Sequence, residues 1–114
     1  MHVYKILRDA EWHLFDRQGW TTGSPDDVAD GFIHLSTREQ LQGTLARHFA
    51  TERDLWILEC SAVQMGKSLR WEPARKGDLF PHLFRPLERG DVLTVHRLDD
   101  EKIAPLLREN ENGT

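Results

Sequence analysis

Asp30-Gly31-Phe32-Ile33-His34-Leu35-Ser36-Thr37, with Gln40 three residues further on, is the stretch on which the fold turns. Gly31 lets the backbone bend or approach a neighbour closely. An extended strand after it puts Phe32 and His34 on one face and Ile33 and Leu35 on the other. If the aliphatic face is core, Phe32 and His34 look into a cleft, with Ser36 at the strand end. Thr37 and Gln40 have the spacing of a capping box, in which each side chain satisfies one orphan backbone donor. A helix therefore follows at once, carrying Leu41, Leu45 and Phe49 along one face.

Upstream, Val3 to Leu7 reads as a first strand with Tyr4 and Ile6 on one side and Lys5 on the other. Asp9 stands where an N-cap belongs, predicting a short helix over 10–18 that Gly19 ends. Gly23-Ser24-Pro25-Asp26-Asp27 reads as a loop, with Pro25 fixing a turn and both carboxylates in solvent. Downstream, Asp54 to Cys60 is expected to be the most buried strand, since an unbroken apolar run wants cover on both faces. Leu69 to Glu72 is a short strand closed by Pro73, and Arg75 to Asp78 a turn. Leu79 to Leu87 is punctuated by two prolines and cannot be helical, so it reads as a stiff extended loop. Val92 to Leu98 is a further strand. Asp100 to Arg108 adds a last helical turn or two, limited by Pro105, before a polar, frayed tail over 109–114. Strands outnumber helices. The expected fold class is α+β, a split, mostly antiparallel, curved sheet with one or two short helices, in a single domain over 1–108.

The 114 residues allow one ordinary domain. Fifteen Lys and Arg against nineteen Asp and Glu give a net charge of −4 with no basic stripe, which argues against a nucleic-acid partner. The longest apolar run, Leu55-Trp56-Ile57-Leu58, is far short of the roughly 20 residues that span a bilayer, so no membrane role is expected. Met1-His2-Val3-Tyr4-Lys5 is not followed by the apolar core of a signal peptide. One cysteine excludes an internal disulfide and fits a reducing cytoplasm.

Three stretches carry candidate chemistry. His34 beside Ser36 suits ribose or phosphate recognition, or general base work; the same residues read equally as a packed histidine and a helix junction. In Phe80-Pro81-His82-Leu83-Phe84-Arg85-Pro86-Leu87 the prolines hold His82 in a fixed direction. Arg85 there pairs an anion or stands as a solvated surface charge. In Trp71-Glu72-Pro73 the indole desolvates a carboxylate that then serves as an acid or stabilises a cationic transition state; the plain alternative is an exposed Glu at a strand end. The six histidines lack zinc-site spacing, Cys60 reads as a packed thiol, and no glycine-rich phosphate loop is present.

Tyr4-Lys5-Ile6, the Asp30–Thr37 stretch with Gln40, Trp71-Glu72 and Phe80-Pro81-His82-Leu83 with Pro86-Leu87 together resemble a bacterial family catalogued as domain of unknown function 952. That family is in turn distantly similar to the ADP-ribosyltransferases, which implies a split sheet around an NAD cleft. Under that resemblance Tyr4 matches the first motif, with Lys5 at the histidine position. Gly31 and Ser36 match the second, and Glu72 takes the place of the late glutamate. The resemblance brings together catalytic candidates His34, Glu72 and His82 and ligand-binding candidates Tyr4, Lys5, Phe32 and Ser36, with no metal and NAD as a candidate substrate. Three readings follow: an enzyme acting on NAD or a nucleotide-derived substrate, a non-catalytic small-ligand module on the same fold, and a protein-contact domain using Trp12 and Trp20 as anchors.

Overall fold

Leu55–Ser61 forms the central strand (β4) of an antiparallel sheet, between His2–Arg8 (β1) and Val92–Arg97 (β8). It belongs to a computed structural model that describes residues 1–99 and Leu107. The apolar run of β4 is covered on both faces, as an unbroken run requires. Leu58 and Cys60 enter one core cluster with Val3, Leu7, Ile33 and Leu83, while Leu55 and Ile57 enter a second with Tyr4, Ile6 and Leu41. Each fully buried aliphatic side chain contributes roughly 1.5–3 kcal/mol.

A second three-stranded antiparallel sheet has Leu79–Leu83 (β6) at its centre, between Ile33–His34 (β3) and Leu69–Pro73 (β5). The segment expected as a proline-stiffened loop is thus a central strand in its first half. Pro81 is tolerated there for a local reason. Its carbonyl accepts from Leu35 N at 3.0 Å, so its missing N–H falls on the side where β3 has already ended. Trp20–Thr21 (β2) and Leu87–Glu88 (β7) make a separate two-stranded pair.

The two larger sheets meet at one bridge. Tyr4 N donates to Ser36 O at 2.8 Å and Ser36 N to Tyr4 O at 2.9 Å, after which β1 and β3 part. The result is the α+β, mostly antiparallel, split arrangement that the sequence predicts.

Four α-helical segments occur among the described residues: Asp9–Gln18 (α1), Pro25–Asp30 (α2), Arg38–His48 (α3) and Ala62–Met65 (α4). The N-cap of α1 is Arg8; Asp9 lies one residue inside and accepts from Trp56 Nε1 at 3.0 Å. The capping box of α3 is present, with Gln40 N donating to Thr37 Oγ1 at 3.2 Å and Thr37 N to Gln40 Oε1 at 3.0 Å. Leu41 is fully buried, and Leu45 and Phe49 pack beside it.

α2 replaces the loop expected around Pro25. Ser24 is its N-cap, accepting from Asp27 N, and Pro25 takes the first helical position, where a missing N–H costs nothing. Gly31 ends the helix at φ +84 with open space where a Cβ would stand, so its role is the bend. Trp12 is not a free anchor: it stacks on Trp56 at 4.8 Å and packs against the core, whereas Trp20 is exposed. The turn or two expected over Asp100–Arg108, the end of the domain at 108 and the tail over 109–114 lie outside the described residues, Leu107 excepted. No helix among the described residues is long and apolar enough to cross a membrane.

Candidate active site

Where β1 and β3 part, a side chain takes over from the backbone ladder. Lys5 is buried, and its Nζ donates to the carbonyl of His34 at 3.1 Å and to Asp27 Oδ2 at 2.6 Å. An isolated ammonium could not be held there; the adjacent carboxylate is what permits its burial. Asp27, expected in solvent, is instead one of the most enclosed side chains in the protein, at 1% side-chain exposure. The capping box at Ser24 turns it inward.

Asp27 accepts four hydrogen bonds. Oδ2 takes Lys5 Nζ and Ser24 N at 2.9 Å; Oδ1 takes His34 N at 3.1 Å and His34 Nδ1 at 2.6 Å. Burial alone would push this carboxyl up, but the hydrogen bond from His34 and the charge of Lys5 outweigh it and hold it well below the usual carboxylate range. Gly23, at φ +91, lies so close that a Cβ there would collide with the Asp27 carboxylate. The hydrogen bond to Asp27 raises the imidazole of His34 above its ordinary value, against an opposing contribution from burial. Asp30 Oδ2 stands 3.0 Å from its other nitrogen, Nε2. Flanked by two carboxylates, the ring is favoured in its protonated form.

His82, from the neighbouring strand and in direct register with His34, has a carboxylate of its own: Nδ1 lies 2.7 Å from Glu72 Oε1 on β5. An ionised carboxylate only accepts, so the neutral ring carries its proton on Nδ1 and leaves Nε2 as a base. The two imidazoles meet edge to face with 5.4 Å between centroids. Phe32 stacks on His82 at 4.2 Å and lies 4.7 Å from His34, locking both rings. Phe84 packs behind it at 5.0 Å.

A cleft of about 390 Å³ opens over this pair, and Tyr4, Lys5, His34, Ser36 and His82 all line it. Ser36 is buried with its Oγ 2.8 Å from Thr44 Oγ1. Burial and the nearby Glu59 push the Tyr4 phenol up, so it is a neutral hydroxyl. Of the seven residues singled out from the sequence, these five share the cleft wall, while Phe32 and Glu72 contact its histidines. Asp27 and Asp30 were missed. The signal was present as Ser24-Pro25-Asp26-Asp27, an S-x-x-D box with proline at the first helical position.

Other candidates fall elsewhere. Arg85 is not a solvated charge: it makes a bidentate pair with buried Asp91, both bonds at 2.8 Å. Cys60 is buried, and burial pushes its thiol up to about 12, the behaviour of a packed group. No cluster of three or more metal-ligating side chains occurs among the described residues.

The chain is similar over nearly its whole length to the protein CC0527 from Caulobacter crescentus. Against the crystal structure of that protein the TM-score is 0.87 at 42% identity, covering 94% of this chain and 98% of the other. Against its solution NMR structure the values are 0.77 and 45%, covering 89% and 88%. Comparison with functionally curated proteins gives no match. The model of one family, described as protein of unknown function (DUF952), matches residues 6–95, the span that holds most of the split sheet and all of the cleft wall but Tyr4 and Lys5. The chain belongs to the DUF952 family.

Proposed function

We propose that the cleft is an acid–base active site for a small nucleotide-derived substrate, with the ribose-phosphate portion held inside. The observation that carries this reading is the pair of carboxylate-oriented imidazoles, Asp27–His34 and Glu72–His82, facing one cleft 5.4 Å apart. Their environments separate their roles: His34 is the charged acid, and His82 offers a bare Nε2 as base. Such separation of two neighbouring titratable groups is what acid–base catalysis uses. His82 would take the proton of an attacking hydroxyl or water, and His34 would give one to the departing oxygen. Glu72, bonded to His82, acts here as a positioning residue rather than as the partner of a sugar cation.

A volume of about 390 Å³ lies near the lower end of small-ligand sites, roughly 300–1,000 Å³, and suits a mononucleotide-sized group. Phe80 and Phe49 supply apolar wall; Tyr4, Ser36 and Thr44 supply hydroxyls. An ADP-ribosyltransferase-like fold, with NAD as the substrate, is the finer form of this reading, supported by two sheets parting around the cleft and by the Gly31 and Ser36 motif. In that form the leaving group is neutral nicotinamide and needs no proton, so His82 would take the proton of the attacking hydroxyl or water and His34 would hold the substrate rather than protonate it.

The test is a thermal-shift screen of NAD, ADP-ribose, nicotinamide, nucleotides and sugar phosphates against the protein, His34→Ala and His82→Ala. A ligand at a hundredfold excess over its Kd adds about 2.7 kcal/mol of stability. A shift from a ribose-containing compound that both substitutions abolish, followed by its conversion, supports the enzyme. No shift from the panel contradicts it.

A non-catalytic binding module is the second reading. It is favoured by the commitment of Lys5 and both edges of His34 to carboxylates, which makes a fixed cation of the ring. A ligand that binds and is recovered unchanged after prolonged incubation selects this reading over the first.

A further inference from the structure

His34 is flanked by two carboxylates of opposite character. Asp27 is 1% exposed and holds four hydrogen bonds, so it cannot leave. Asp30 is 53% exposed and touches His34 through the single ion contact at Nε2, 3.0 Å. It is also badly placed by its own helix. Asp30 is the last residue of α2, at the end where the backbone carbonyls already concentrate negative charge. Its side chain gains from being near His34 and from nothing else in α2.

Two other basic side chains of the cleft wall already hold carboxylates. Among the described residues, Arg8 pairs with Glu52 at 2.8 Å and with Glu11 at 3.5 Å, and Lys5 with Asp27. Lys5 has three N–H donors, of which Asp27 and the His34 carbonyl take two, and it lines the cleft. The contact nitrogen of His34 and the third N–H of Lys5 are thus cationic donors on the cleft wall beside the buried Asp27, and a carboxylate at a helix end stands over the first. Asp26 lines the same cleft and adds negative charge at its rim.

We propose that the Nε2 edge of His34 is an oxyanion subsite for the phosphate group of a phosphomonoester, and that Asp30 occupies it in the free protein as a displaceable internal anion. This rests on the reading of the cleft as a nucleotide-derived substrate site and names which atom grips the phosphate. A phosphate oxygen entering the subsite takes the N–H that Asp30 covers, and Asp30 swings into solvent, where water replaces the one contact it gives up. Asp27 stays and keeps the ring oriented as the phosphate enters. Asp30 thereby sets a threshold: a weakly basic or neutral group does not displace it, whereas a doubly charged phosphate does.

The experiment uses inorganic phosphate as the probe, titrated at constant ionic strength balanced with chloride, and reads binding from the thermal midpoint in every variant and from the imidazole nitrogen signals of His34 where that residue is present. The protein, Asp30→Asn and Asp30→Ala are compared, with Asp30→Asn/His34→Gln as the control. Removing the internal anion tightens phosphate by about threefold to tenfold, since a partly exposed ion pair no longer has to be broken and its charge no longer repels the ligand. The double variant loses this binding. Equal or weaker binding by both Asp30 variants overturns the proposal, as does the absence of binding in all of them or its survival in the double variant. Phosphate binding reads the subsite and not turnover, so conversion of a nucleotide-derived compound without this tightening would remove the Asp30 role and leave the acid–base reading standing.

Discussion

Lys5 Nζ and Asp27 Oδ2 lie 2.6 Å apart with both side chains out of solvent, across the gap where the two main sheets separate. The pair does structural work, since Lys5 also caps the His34 carbonyl that the broken ladder leaves open. It does electrostatic work as well, since Asp27 spends its other oxygen on the His34 ring. The seam of the fold and the charge state of the candidate acid therefore depend on one carboxylate.

Asp27→Ala should cost about 3–5 kcal/mol, because it strands a buried ammonium. Urea unfolding measures this. The pairing with Lys5→Met should recover much of the loss, as the charge to be buried is then gone. A cost below about 1 kcal/mol, typical of an exposed pair, would contradict the burial described here.

Stability should depend on pH in two windows. The raised value of His34 means its contribution is complete below the unfolded value, 6.5, and is lost as pH rises through the higher folded value. The lowered value of Asp27 means its contribution is complete above 3.8 and is lost as pH falls below that point. Denaturant midpoints across this range should show both slopes. His34→Gln should remove the upper one and leave the lower; an unchanged upper slope would put its origin elsewhere.

Gly23→Ala should destabilise and should also disturb the site. The new methyl group meets the Asp27 carboxylate and the backbone is left-handed there, whereas Gly31→Ala pays only for its conformation. The two variants separate in the His34 imidazole signals, which move in the first and not in the second.

Arg85→Lys should be nearly as damaging as Arg85→Ala, at about 3 kcal/mol, because a point charge cannot reproduce the two parallel bonds that satisfy buried Asp91. Thermal unfolding of the two variants side by side decides it.

Much of this architecture is legible in the chain. The alternation at Phe32-Ile33-His34-Leu35 places the aliphatic pair in the core and the two rings together, and Thr37 with Gln40 caps α3 as its spacing requires. Less legible is anything decided by a partner distant in sequence. The strand pattern sets Lys5 on the face away from Tyr4 and Ile6, but the burial of its ammonium depends on Asp27, 22 positions away, which the sequence reads as a solvent carboxylate. Pro81 argues against a central strand until β3 proves too short to need its N–H. The Ser24–Asp27 box was readable, but a short helix gives too little apolar periodicity to compete with the turn chemistry of Pro25.

The most direct measurement is the nitrogen spectrum of the histidine imidazoles across neutral pH. The account predicts that His34 keeps protons on both nitrogens above pH 6.5, the ordinary imidazole value, while His82, once neutral, carries its proton on Nδ1 and leaves Nε2 bare. A neutral His34 at that pH, or a His82 protonated on Nε2 alone, would contradict the assignment of acid and base in this cleft.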